Sequence, residues 1–358
     1  MNQSSKRSVY GLHELGKEHN TLVGKKCAHL GELTKAGFPV PKGFALTLDA
    51  YDIFLNETGA AEELKKHFAS FDGNPDDNKD FPKFEAASTV VRDLVESKNM
   101  PESLKGVVSQ FYSGLCEATG CRDLAVSTRS AGPESHPGQY ESYLHISGTA
   151  DVMKHIIKVW ASTFNTRSLI ARARGGFPLD RDPIGVCVLQ MIDAKTAGVI
   201  FTLNPANGDL SKIAIEGNWG LGESVVSGNV TPDKWMVDKV TYECVESRIS
   251  EKTCEYILDG ASGKVVAATI PPERANVRCL TDSEVIELAR VAKRIEQHYG
   301  TAQDIEWAIH REYALPESVF ILQTRPETIW SKRQPDSRLG VSATSKSLIS
   351  DLLLRIKG

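Results

Sequence analysis

Gln303-Asp304-Ile305-Glu306-Trp307-Ala308-Ile309 and Val319-Phe320-Ile321-Leu322-Gln323-Thr324-Arg325 both alternate with period two. Successive side chains of a strand point to opposite faces, so the two stretches read as strands and the pair as a hairpin. In the first, Ile305, Trp307 and Ile309 share one face, and Asp304 and Glu306 share the other. In the second, Phe320 and Leu322 share a face, and Gln323 and Arg325 share the opposite one with Ile321. Pairing would gather two acids, an amide and a guanidinium on one surface. Carboxylate and amide oxygens suit Mg²⁺, which is usually held by one or two carboxylates plus phosphate oxygens. The arginine fork matches phosphate. The same pattern also suits a hairpin with a solvated, salt-bridged outer face, which is ordinary on antiparallel sheets.

The chain has 358 residues, enough for two lobes rather than one simple core. Its apolar content of 41% and charged content of 25% are those of a globular protein. A net charge of −4 gives no basic surplus for nucleic acid. No apolar run reaches the roughly 18 residues that a membrane span requires. The first nine residues lack the apolar centre of a signal peptide. Seven scattered cysteines, with no Cys-x-x-Cys pair, argue against a disulfide framework or a zinc knuckle. These features together predict a reduced, cytoplasmic protein.

Working outward from the hairpin, Thr281 and Glu284 make a capping box. Val285, Leu288, Ala292, Ile295 and Tyr299 form the apolar stripe of a helix that Gly300 closes. Residues 213–224 hold Glu216 and the string Gly217-x-x-Gly220-x-Gly222, which reverses the order of a dinucleotide fingerprint. They are either a tight turn or a loop at a nucleotide cleft, with Glu216 facing ribose or metal. Two short apolar strands, 184–191 and 198–203, suit the centre of a sheet. Between them, residues 190–194, beginning at Gln190, form a hinge whose backbone could meet the edge of a purine.

Further upstream, residues 151–176 read as an amphipathic helix whose Arg172 and Arg174 compensate its C-terminus. Residues 124–128 form a strand leading to the loop Arg129-Ser130-Ala131-Gly132. That loop is either a phosphate grip or a hairpin turn with one structural arginine. A loop containing Pro137-Gly138 and a strand over 140–146 follow. Residues 56–123 are mostly packing helices. Gly24 precedes a helix over 25–33, where Lys26 is either a solvated lysine or a point charge for phosphate. At the other end, residues 331–347 read as a linker. Leu348, Ile349, Leu352, Leu353 and Ile356 then make a short amphipathic tail helix.

Taken together, residues 24–51, 129–144, 198–238 and 280–328 resemble, in order and spacing, the N-terminal nucleotide-binding region of phosphoenolpyruvate synthase and pyruvate phosphate dikinase. The Gln-Asp-Ile-Glu and Leu-Gln-Thr-Arg-Pro-Glu-Thr strings carry most of the specificity. The resemblance implies an α+β, ATP-grasp-type fold with ATP and Mg²⁺ held between two lobes. These lobes would be residues 1–187 and 188–330, followed by a tail over 331–358. It implies that Lys26 and Arg129 contact phosphates, that Glu306 and Gln323 bind the metal, and that Asp304 and Arg325 lie beside them. Two departures are visible. Lys25 stands where the family has a second glycine, and Thr128 where it has valine.

The family's phosphorylatable histidine sits in a Thr-Ser-His setting, and none of the nine histidines here does. His136 and His298 read as surface residues. The expectation is therefore an ATP-binding subunit of a split dikinase, working with a histidine-bearing phosphocarrier and acceptor-binding subunit. Phenylphosphate synthase resembles this arrangement, with phenol as acceptor. The alternatives are a self-contained ATP-grasp kinase or ligase that forms ADP, and a nucleotide-binding regulatory protein without turnover.

Overall fold

The computed structural model describes residues 7–133, 140–259, 263–328 and 330. The tail over 331–358, Pro137-Gly138 and His136 lie outside the described residues. Met1–Pro326 form one compact unit and Glu327–Gly358 a second.

The first strands are β1 (Val9–Gly11), β2 (Gly43–Leu46), β3 (Val126–Ala131), β4 (Ser142–Ile146) and β5 (Gly185–Gln190). They form an antiparallel sheet in the order β1-β2-β5-β3-β4. Then come β6 (Ala194–Phe201), β7 (Lys212–Trp219), β8 (Asp233–Asp238) and β9 (Cys244–Arg248). A separate hairpin, β10 (Cys254–Asp259) and β11 (Lys264–Thr269), precedes β12 (Gln303–His310) and β13 (Val319–Pro326). The second sheet is antiparallel in the order β13-β12-β6-β7-β8-β9. Antiparallel sheets with helices segregated from them define an α+β protein.

Alternation along the five-stranded sheet feeds two cores. Phe44, Leu46, Val126, Val186 and Val188 pack on one side with Tyr51, Phe54, Ile156 and Trp160. Ala45, Ala131, Cys187 and Leu189 pack on the other with Cys27, Ala28 and Leu30 of the helix Lys25–Lys35. The six-stranded sheet is covered on one face only by a large core. There Ile200, Ile215, Trp235, Ile305 and Trp307 meet Val285, Leu288, Ala292 and Ile295 of the helix Asp282–Tyr299. Each fully buried Leu or Ile of this kind contributes about 1.5–3 kcal/mol. That helix begins as its sequence predicts. The Thr281 side chain accepts from Glu284 N, and Glu284 Oε2 accepts from Thr281 N at 2.8 Å. Its C-terminus stops at Gly300 in the left-handed conformation.

Several expectations need correction. Ile321 does not share the polar face of β13. The register pairs Glu306 with Gln323 but Trp307 with Ile321, so Leu322 is an extra residue in β13. This bulge sends Ile321 into the core and keeps Gln323 and Arg325 beside Glu306 and Asp304. Arg129 lies inside β3, opposite Cys187, rather than in a loop after a strand. The helix expected over 151–176 breaks into Thr149–Ala161, a 3-10 turn Ser162–Phe164 and Thr166–Gly175, the last capped by Asn165. Arg172 does not compensate a helix end; it is buried and donates to Thr163 O at 2.8 Å. Arg174 pairs with Asp76. A boundary between 187 and 188 would fall inside β5, which pairs with β2 and β3 as far as Leu189 and Gln190.

Candidate functional site

Gly24 places the helix that carries Lys26. Its φ is +80°, and a Cβ there would lie 2.0 Å from Ala131 O, at the end of β3. Only glycine permits so close an approach in that conformation. Lys25 N completes the junction by donating to Gly132 O at 2.9 Å. Lys26 therefore enters the first turn of the helix next to the strand that carries Arg129. The N-terminus of such a helix favours anions. Burial pushes the Lys26 amine down to about 8, and the Arg129 charge pushes it the same way, while Glu306 opposes both.

Arg129 reaches from the five-stranded sheet to the six-stranded one. Its Nη2 donates to Glu306 Oε2 at 2.8 Å and to Gln323 Oε1 at 3.2 Å. Its Nη1 donates to the carbonyl of Leu322, the bulge residue, at 3.0 Å. The Arg129 and Glu306 side chains are 15% and 23% exposed, so the pair is shielded but reachable. Burial works against the Glu306 carboxylate, but the Arg129 and Lys26 charges outweigh it and hold its pKa below the usual value. Next to this group, Arg325 Nε donates to Asp304 Oδ2 at 2.7 Å.

Glu216 lies on the same face, farther away. Glu306 pairs with Val199, Val199 with Glu216, and Glu216 with Lys234, so these residues form one row across β12, β6, β7 and β8. Two strand spacings put Glu216 about 10 Å from Glu306. Glu216 Oε1 accepts from Lys234 Nζ at 2.9 Å. The structure does not bring Gln190 into this group. Its N–H donates to Lys42 O and that of Met191 to Ala125 O, so these two hinge amides are already paired. A small apolar cluster of Ile192, Ala194, Ala197 and Ala308, with Leu221, Phe320 and Leu322 packed on it, adjoins the Glu306 row.

Sequence reading missed Lys234 and the Leu322 carbonyl. Only the strand register and the bulge reveal them. It also missed His29, whose Nδ1 donates to Thr324 O at 3.1 Å. His298 is exposed, as expected, and its Nε2 lies 2.8 Å from Glu32 Oε1.

Among the described residues, no group of three His, Cys, Asp or Glu side chains could hold a metal. The expected pair, Glu306 and Gln323, is one carboxylate and one amide. Their oxygens converge on a single cationic nitrogen, Arg129 Nη2. Two hard oxygens aimed at one positive centre fit Mg²⁺, which takes its remaining ligands from phosphate and water.

With α+β sheets and this charged patch in place, the comparisons identify the group of proteins concerned. The family described as pyruvate phosphate dikinase, AMP/ATP-binding domain, matches residues 20–344, and the chain belongs to that family. A probable phosphoenolpyruvate synthase of Methanothermobacter thermautotrophicus is 39% identical over 88% of this chain and 45% of its own length. A phosphoenolpyruvate synthase of Aeropyrum pernix is 34% identical over 93% of this chain and 44% of its own. One from Pyrococcus furiosus is 33% identical over 90% and 44%. The chain thus spans less than half the length of these relatives. No helix among the described residues is long and apolar enough to cross a membrane.

Proposed function

We propose that the chain is the ATP-binding part of a dikinase-type phosphotransferase, with an ATP-grasp-type arrangement in which the two sheets are the lobes. One observation carries the reading: Arg129 from one sheet meets Glu306 and Gln323 from the other, with the Lys26 amine beside them. Phosphoryl transfer needs charge neutralisation around an in-line displacement more than it needs covalent chemistry from the protein. Lys26, Arg129 and Arg325 supply the positive charges for the phosphates. Glu306 and Gln323 hold Mg²⁺, which when bound neutralises phosphate oxygens. Asp304 orients Arg325. Glu216 faces the ribose, and the apolar cluster at Ala197 and Ala308, next to the hinge after Gln190, takes the adenine.

In this reading a histidine outside the chain's described site attacks the β-phosphorus of ATP. AMP leaves, and the histidine carries a pyrophosphoryl group. Water then removes the terminal phosphate, and the remaining phosphohistidine donates to an acceptor. The histidine belongs to a further domain or to a partner subunit. In the split version, phenylphosphate synthase-like, phenol is the acceptor. Seven unpaired cysteines suit a cytoplasmic setting.

Chromatography of nucleotides after incubation with MgATP tests this. The chain alone should form no AMP, and AMP should appear on adding a histidine-bearing partner. AMP from the chain alone at the full rate would place the nucleophile within these residues. ADP as the product would replace the dikinase reading with a self-contained ATP-grasp kinase or ligase. Binding without either product, with the partner present, would leave a regulatory nucleotide-binding protein.

A further inference from the structure

The oxygens proposed for Mg²⁺ already hold a cation, and it belongs to the chain. One nitrogen, Arg129 Nη2, lies 2.8 Å from Glu306 Oε2 and 3.2 Å from Gln323 Oε1. The other terminal nitrogen is held at 3.0 Å by the Leu322 carbonyl. Leu322 has no partner on β12, because β13 bulges there. The bulge therefore presents a carbonyl to Arg129 from the same place that sets Gln323 beside Glu306. Three acceptors on two adjacent strands thus receive one guanidinium, and its own strand, β3, is fixed between β5 and β4.

We infer that Arg129 and a divalent ion are alternative occupants of the Glu306–Gln323 pair, so the metal enters only when nucleotide phosphates draw Arg129 away. This rests on the ATP-site reading above. Geometry gives the first reason. Mg²⁺ requires oxygens at about 2.1 Å in near-octahedral order, and the point where these two oxygens converge is occupied by Nη2. Charge gives the second. Lys26, Arg129 and Arg325 face Glu306 and Asp304, so the cations already outnumber the carboxylates. A bare divalent ion would deepen that excess in a shielded site. A nucleoside triphosphate carries more negative charge than the ion carries positive, so the two together relieve it. Metal binding is then conditional on nucleotide, and the guanidinium that guards the empty pair is the one released to grip the phosphates.

Mn²⁺ binding followed by electron paramagnetic resonance, with no turnover needed, tests the exchange. Wild type should bind Mn²⁺ weakly alone and tightly with ATP. Arg129→Met should bind Mn²⁺ alone at least about tenfold more tightly than wild type, a typical size for coupling between two ligands. The same variant should bind Mn²⁺-ATP more weakly than wild type. Opposite signs in one variant are not expected of a merely structural arginine, whose loss would weaken both. Arg129→Lys, which keeps the charge, should stay close to wild type for Mn²⁺ alone. Unchanged or weaker binding of Mn²⁺ alone by folded Arg129→Met overturns the inference. Should that variant not fold, wild type decides by melting temperature: Mg²⁺ alone should leave it unmoved and MgATP should raise it. An equal rise with Mg²⁺ alone overturns the inference. No Mn²⁺-ATP binding by wild type would instead refute the underlying nucleotide reading.

Discussion

The Lys26 amine loses its proton near pH 8, because burial and then the Arg129 charge disfavour the ammonium form. Below that pH the amine carries a full charge, which under the proposed function serves phosphate, and above it the charge is lost. ATP affinity in wild type should therefore fall as pH rises from about 8 to 9, and stay flat over that range in Lys26→Met. Calorimetric titration at several pH values measures this, and a flat wild-type profile would remove Lys26 from the phosphate contacts. The same amine should react with an acylating reagent ahead of exposed lysines, and MgATP should protect it. Gly24 and Lys26 were visible in the sequence as a pair, though their meaning was open. The Ala131 carbonyl that makes Gly24 obligatory is a backbone atom more than a hundred positions away, so no local pattern could announce it. Lys234 was invisible for a related reason. Nothing in Pro232-Asp233-Lys234 separates it from a solvated lysine until the register sets it opposite Glu216.

Among the elements, those governed by local rules were legible and those governed by pairing were less so. The capping box of Asp282–Tyr299 and the facing of Ile305 and Trp307 depend on neighbours a few residues away, and both hold. The bulge at Leu322 depends on β12 and reversed the expected placement of Ile321. Behind the polar row, β8 is pinned by a pair that no motif marked. Asp233 and Lys252 are 0% exposed and 2.7 Å apart, and the same carboxylate also accepts from Ser250 N and Cys279 N, both at 2.9 Å. Removing one partner of such a pair strands the other charge in the interior. Asp233→Ala should accordingly lower unfolding stability by about 3–5 kcal/mol in denaturant titration, far more than an exposed substitution. A loss of less than about 1 kcal/mol would mean that the pair is solvated in the native state.

For the whole molecule, the α+β class was readable, while the extent of β5 was not. Residue composition does not change between Cys187 and Val188, and only the pairing of β5 with β2 and β3 shows the strand continuing to Gln190. One helical turn beyond Lys26, His29 touches the carbonyl of Thr324, the residue between Gln323 and Arg325, and its ring lies tilted against Tyr299. Burial lowers the His29 pKa from its ordinary 6.5. The unfolded chain then binds more protons than the folded one just below that pH, so stability falls as the pH drops through 6.5. Melting temperatures between pH 7 and 5 should decline less in His29→Gln than in wild type, and parallel curves would show that His29 carries none of the effect. The contacts of Arg129 have one more consequence, in time rather than in space. Its three acceptors stand 177, 193 and 194 positions later in the chain. At roughly 5–20 residues per second, a ribosome makes them some 10–40 s after Arg129 itself. The emerging five-stranded sheet carries its guanidinium without these acceptors for that interval, and the Arg129 contacts are complete only once β13 has been made.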